Sequence, residues 1–391
     1  MTTTDTNPAS LDMLRRLVGF PTVSRDSNLE LIRYVVDYLA GHGIEARLTH
    51  DDTGKKANLF ATIGPAEVPG VVLSGHTDVV PVDDQPWSSD PFKLVERDGR
   101  LYGRGAVDMK GFVAVILAFV PRFAAAGLKK PVHLSLSYDE EIGCVGVRRL
   151  IDDVLALPVR PEMCIVGEPT RMRLMLGHKG KVNMRVRVRG SECHSSLAPQ
   201  GVNAVEYAAE LVSFLRRMAR RKAAMGPFDE LFDVAHTTVH TGIMAGGTAL
   251  NIVPKDCRVD FEIRAIPEDD LDEMVAEVKA FARTELEPMM KAVDPAAGFG
   301  WEVISAIPGL DTRPDEEVAQ LVSQLTGRND FAKVAFGTEG GLFQQQGGIP
   351  TVVCGPGDID QAHKPDEFIE TSQLIECERF MERLIERLAA A

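Results

Sequence analysis

The chain has 391 residues, enough for two or three domains at roughly 150 residues each. Its 45% apolar, 26% charged and 6% aromatic residues make an ordinary globular composition, which excludes disorder and fibrous repeats. The 43 Lys and Arg against 57 Asp and Glu leave a net charge of -14, which repels phosphate backbones and anionic lipid, so neither nucleic acid nor a membrane is an expected partner. No apolar run approaches the ~20 residues that span a bilayer, and the best, Phe112 to Val120, stops at Pro121. The start MTTTDTNPASLDMLRRL lacks the basic and apolar stretches of a secretory signal, so a cytoplasmic location is expected. Six cysteines without CxxC spacing read as reduced, mostly buried thiols rather than a disulfide framework or a thiolate zinc site.

In chain order, Ser10 is placed to cap a helix from Leu11, and Asn28 another whose stripe includes Leu31, Ile32, Val35 and Leu39. Compact apolar runs at Val71 to Ser74, Val132 to Ser137, Met163 to Val166 and Thr351 to Cys354 predict strands buried on both faces. Helical patterns at Met109 to Phe123, Val145 to Leu155 and Val318 to Leu325 lie between or near them. That alternation predicts an α/β fold, a largely parallel sheet flanked by helices. From Lys181 the pattern changes, because Val182 to Arg189 alternates strictly, the sign of a sheet with one wet face. A helix from Ala204 to Arg221, strands at Ala235 to Thr241 and Cys257 to Arg264, and a helix around Leu271 to Leu286 follow. This β-α-β-β-α order predicts an α+β module over residues 181–296, inserted into a larger domain of residues 1–180 and 297–391.

Chemistry sits where the apolar strands end. His76-Thr77-Asp78 follows the first run, Asp139-Glu140-Glu141 the second, Glu168 the third, and the loop after Cys354 reaches His363. Open α/β sheets bind ligands at the carboxyl ends of their strands, so these distant residues converge. Asp108, just ahead of a helix, is a fifth candidate. Imidazoles and carboxylates without thiolates are the donor set of a catalytic zinc, cobalt or manganese site. Asp108, Glu141 and Glu168 with one hydroxide carry four negative charges, which two divalent cations balance and one does not. Each residue also has a plainer reading: a rim histidine, a solvated turn of acids, a helix cap. Together those readings require five coincidences.

The segments SGHTDVVPVDDQPWSSDPF (74–92), LYGRGAVDMKGF (101–112), SYDEEIGC (137–144), GEPT (167–170), GHKGK (177–181), GGTALNIVPKDCRVDFEIR (246–264) and CGPGDIDQAHKPDEF (354–368) resemble the dizinc aminoacylase and deacetylase family of metallopeptidases. The resemblance implies a zinc-peptidase-like catalytic domain with a mixed sheet, and a ferredoxin-like lid through which two copies form a homodimer. It implies that His76 and Glu168 bind one ion, Glu141 and His363 the other, and Asp108 both. It makes Glu140 the general base and Asp78 the residue that holds His76, and it implies a cis peptide after Asp108. It also offers His194 as an oxyanion donor, usually supplied by the partner subunit. Asn251 and Arg264 are candidates for a substrate carboxylate, and Gly337 and Thr338 for a substrate loop, although Arg264 in a local ion pair and Gly-Thr-Glu-Gly as a tight turn are equally open. The implied reaction is hydrolysis of the amide of an N-acyl amino acid, N2-acetyl-L-ornithine to L-ornithine and acetate. Desuccinylation of succinyl-diaminopimelate, an aminoacylase or dipeptidase activity, and a catalytically silent metal- or peptide-binding relative are the alternatives.

Overall fold

A computed structural model describes residues 8–390. Residues 1–7, part of the stretch read above for a secretory signal, lie outside it. The described residues divide into two compact units, the first of residues up to 177, 310–333 and from 338 onward, the second of 178–309 and 334–337.

The first unit is built on a nine-stranded mixed sheet. Its parallel centre runs Val132–Ser137, Val71–His76, Met163–Val166, Thr351–Val353, each strand in register with the next. These are the four predicted runs. Every residue of the four is buried, which is why they read as continuous apolar stretches rather than alternating ones. The antiparallel strands Ala57–Ile63 and Ala46–His50 extend one side. No helix among the described residues is long and apolar enough to cross a membrane.

The helix Lys110–Ala118 is buried from Lys110 to Leu117 and packs against the strand Val71–His76 and the helices Leu11–Val18 and Thr371–Ala390. A Cβ on Gly167 would fall 2.1 Å from the Phe112 ring, so only glycine before Glu168 lets this helix lie against the strand end. Burying a Phe side chain fully contributes about 2–3 kcal/mol. The predicted helix from Met109 to Phe123 is in fact two, Lys110–Ala118 and Val120–Ala125, broken at Phe119 ahead of Pro121.

Helices start where Ser10 and Asn28 predicted, but neither side chain caps its helix. Ser10 Oγ donates to Glu378 Oε1 at 2.8 Å. Asn28 Oδ1 accepts from Ala57 N, and its Nδ2 donates to Ala57 O and Thr77 Oγ1. Partners distant in sequence outcompete the local cap.

The second unit has a four-stranded antiparallel sheet in the order Thr238–Gly246, Asp256–Ala265, Gly180–Arg189, Gly298–Ile307. The helices Ala204–Met225 and Leu271–Phe281 pack on it. Gly298–Ile307 was expected to lie in the larger domain; instead it pairs along Gly180–Arg189 and completes a β-α-β-β-α-β unit, so the expected end at residue 296 falls short. Glycines at 298 and 300 and a register shift between Val303 and Ser305 hide its alternation.

Candidate metal centre

The four parallel strands bring their carboxyl ends to one place. His76 is the last residue of Val71–His76 and is buried. Its Nδ1 donates to the Asp78 carbonyl at 2.9 Å, and its Nε2 lies 3.0 Å from Asp108 Oδ1 and 3.8 Å from Glu168 Oε1. Asp108 precedes the buried helix through a cis peptide to Met109. Its second oxygen, Oδ2, lies 3.2 Å from His363 Nε2, which is 3.0 Å from Glu141 Oε2. Two trios of ligand atoms therefore form, His76–Asp108–Glu168 and Asp108–Glu141–His363, each with its atoms within 4.8 Å of one another. Asp108 belongs to both.

The turn after Val132–Ser137 aims the two glutamates. Asp139 sits in the left-handed region at φ 56° with its carboxylate on Lys56 Nζ at 2.5 Å. The N–H groups of Glu140 and Glu141 donate to the Asp78 carboxylate at 3.1 and 3.3 Å. The Cys144 thiol donates to Glu140 Oε1 at 3.2 Å. Asp78 thus meets His76 chiefly through its main-chain carbonyl, with its carboxylate 3.6 Å from the ring; the carboxylate serves the glutamate turn and Ser24 Oγ.

The charges fit cations. Burial drives the Glu140 carboxyl up to about 8 and Glu141 up to about 7, and Asp108 pushes both the same way. Burial and Asp108 raise Glu168 well above its ordinary value. His363 is raised to about 10 by its hydrogen bonds to Asp108 and Glu141. Burial alone would lower His76, but Asp108 and Glu168 outweigh it and raise it well above its ordinary value. Three acids and two imidazoles that gather protons so strongly around Asp108, whose own carboxyl the two imidazoles hold low against its burial, form a site that favours positive charge. Glu141 Oε1 is buried without a hydrogen-bond partner among the described residues, a cost that a coordinated cation would remove. The donors and this orphaned oxygen fit two divalent ions.

Sequence reasoning left three nearby groups unassigned. Glu339, fully buried, accepts from Ser74 Oγ at 2.6 Å and Ser137 Oγ at 2.7 Å, tying together the strands that carry His76 and the glutamate turn. Arg104 and Glu367, each 1% exposed, form an ion pair at 2.6 Å. All three lie within segments quoted for other residues, and nothing in their spacing marks them; only burial does.

The remaining candidates belong to neither trio. Thr338 is buried, and its Oγ1 accepts from Gly340 N at 3.0 Å, closing a tight turn. Gly337 belongs to the second unit, beside Ile307. Arg264 is held by both Glu262 oxygens, at 2.9 and 3.3 Å, and by the Ala335 carbonyl at 3.3 Å, so the local ion pair, not a free carboxylate clamp, describes it. His194 is exposed on the second unit, its Nδ1 held by Ser196. Asn251, also exposed there, accepts from Ser195 N through its main-chain oxygen.

Comparison with known proteins places this geometry. Residues 72–387 match peptidase family M20/M25/M40. The chain is 33% identical over 388 residues to acetylornithine deacetylase of Pasteurella multocida (strain Pm70), covering 97% of each. It is 33% identical over 373 residues to that of Shigella sonnei (strain Ss046), covering 93% of this chain and 94% of that one. Among solved structures, an M20 family metallo-carboxypeptidase from Sulfolobus solfataricus superposes with a TM-score of 0.76 at 20% identity, covering 98% of this chain and 99% of that one. A dinuclear metal binding peptidase from Bacillus subtilis does so at 0.64 and 16%, covering 98% of each. At such identities these structures speak for the fold.

Proposed function

The chain belongs to peptidase family M20/M25/M40 and is an amidohydrolase, and from that premise we propose that it removes the acetyl group from N2-acetyl-L-ornithine, yielding L-ornithine and acetate. The two relatives at 33% identity carry that activity in their names. The observation that carries the chemistry is the sharing of Asp108 between two trios of ligand atoms, with Glu140 next in the chain to Glu141 and close enough to His76 and Glu168 to shift both.

His76 and Glu168 would hold one divalent cation, Glu141 and His363 the other, and Asp108 both. Zinc suits this donor set, with cobalt or manganese as alternatives. When bound, the two ions supply Lewis acidity that polarises the amide carbonyl and acidifies a water. Glu140 takes a proton from the attacking water at its carboxylate and returns it to the amine nitrogen as the C–N bond breaks. Asp78, through the N–H groups it binds, keeps that carboxylate in reach. His194, supplied across a homodimer, would donate to the oxyanion, and Asn251 would face the substrate beside it. A cytoplasmic setting fits a small-molecule substrate.

The test is a kcat/KM comparison of the zinc- or cobalt-loaded enzyme on N2-acetyl-L-ornithine, other N-acetyl and N-formyl amino acids, N-succinyl-diaminopimelate and dipeptides. N2-Acetyl-L-ornithine should rank first. A higher value for a succinyl amide or a dipeptide would replace the substrate while leaving the amide chemistry in place.

A further inference from the structure

A buried ion pair lies behind the second trio. Glu367 Oε1 accepts from the main-chain N–H of Val107 at 2.9 Å and of Asp108 at 3.2 Å. Its Oε2 binds Arg104 at 2.6 Å. Arg104 also donates to Gln85 Oε1 at 2.6 Å and to the Lys364 carbonyl at 3.4 Å, and lies over the Trp87 ring. Gln85 Nε2 in turn donates to the His363 carbonyl at 3.3 Å, and Trp87 Nε1 donates to Gln85 Oε1 at 3.0 Å. The hydrogen bonds form one chain that begins at the backbone of Asp108 and ends at the backbone of His363.

Stability does not account for this arrangement. Replacing a buried ion pair with apolar residues is often neutral or stabilising, and Arg104 Nε is itself buried without a partner among the described residues. His363, by contrast, needs external support: its side chain is 53% exposed and its backbone sits in the left-handed region at φ 62°, which a non-glycine residue adopts reluctantly. We infer that Arg104, Glu367 and Gln85 are positioning residues that set His363 against Asp108 and so tune the affinity of the cation this trio takes. The inference rests on the dinuclear reading above and adds what selects the strength of one of its two ions.

Gln85→Glu keeps the acceptor for Arg104 and Trp87 but removes the donor to His363. Arg104→Lys keeps a charge for Glu367 but loses the second arm to Gln85. Each full-length variant, stripped by a chelator and checked by circular dichroism and thermal unfolding, is titrated with Zn²⁺ in competition with a chromophoric chelator. Wild type should take up two ions. Both variants should weaken one of them 10- to 100-fold, the usual cost of losing a partner outside the ligands themselves. In a His363→Ala background, where only the other ion remains, Gln85→Glu should change zinc affinity less than threefold. Wild-type affinity for both ions in Gln85→Glu, or an equal loss in the His363→Ala background, would overturn the inference while leaving the dinuclear reading intact. Wild-type uptake of fewer than two ions would overturn both.

Discussion

The carboxylate of Asp78 accepts a hydrogen bond from the main-chain N–H of Glu140 at 3.1 Å, and a second from Glu141 at 3.3 Å. The loop after one strand therefore sets the turn after its neighbour. Replacing Asp78 with Ala frees that turn, and a displacement of about 1 Å in a reacting group costs on the order of 10²-fold in rate. Asp78→Ala should lose about that much kcat with metal content near wild type; an unchanged kcat would show that the tie is idle.

Of the two glutamates of the turn, Glu140 is the one outside both trios. Glu140→Gln should retain two equivalents of metal by elemental analysis while kcat falls roughly 10²- to 10⁴-fold, the range for loss of a general acid–base group. Loss of metal along with activity would make Glu140 a ligand instead.

Removal of the cations should be felt by the fold as well as by the reaction. A ligand present at a hundredfold its Kd stabilises by about 2.7 kcal/mol, so chelation should abolish turnover and lower the unfolding temperature, and zinc should restore both. An unfolding temperature indifferent to chelation would argue against tight binding by these residues.

Glu339 joins Ser74 and Ser137 beneath the site, and burial raises its carboxyl although both hydroxyls oppose the rise. Truncation to Ala takes the acceptor from the buried Ser137 hydroxyl, a loss worth about 1–3 kcal/mol, whereas Ser74 Oγ keeps Ser135 Oγ at 3.0 Å. Glu339→Ala should lower the denaturation midpoint by more than Glu339→Gln, which keeps an acceptor. Equal midpoints would remove the bridging role.

His133 lies in the sheet against Phe60, with Nδ1 near Thr62 Oγ1 at 3.0 Å and a buried Nε2 that has no partner among the described residues. Burial pulls its pKa from 6.5 down to about 4. The unfolded chain therefore binds a proton that the native protein refuses between those values, and stability falls as pH drops through this window, by about 3 kcal/mol at 1.36 kcal/mol per unit. Urea unfolding from pH 7 to 4 should show a shallower loss in His133→Phe; parallel curves would sink the assignment.

What was legible in the chain and what was not divide along physical lines. The parallel strands could be found because burial on both faces demands unbroken apolar runs, and His76, Glu141 and Glu168 because polar groups directly after such runs need a reason to be there. Gly298–Ile307 escaped because its glycines and register shift erase alternation. Ser10 and Asn28 marked helix starts correctly, yet their side chains went to Glu378 and Ala57, partners that no local rule can see.

The amino-acid order alone determined which residue types stand at each strand end, and with them an acidic, imidazole-bearing donor set suited to divalent metal. The resemblance implied that Asp108 serves both ions; the tertiary structure alone decided that Arg264 and Thr338 are already committed to neighbours, and that Arg104, Glu367 and Glu339 are buried beside the site. The reason is that periodicity reports burial along one element, whereas a hydrogen bond between residues 263 or 265 positions apart exists only once separate elements have packed.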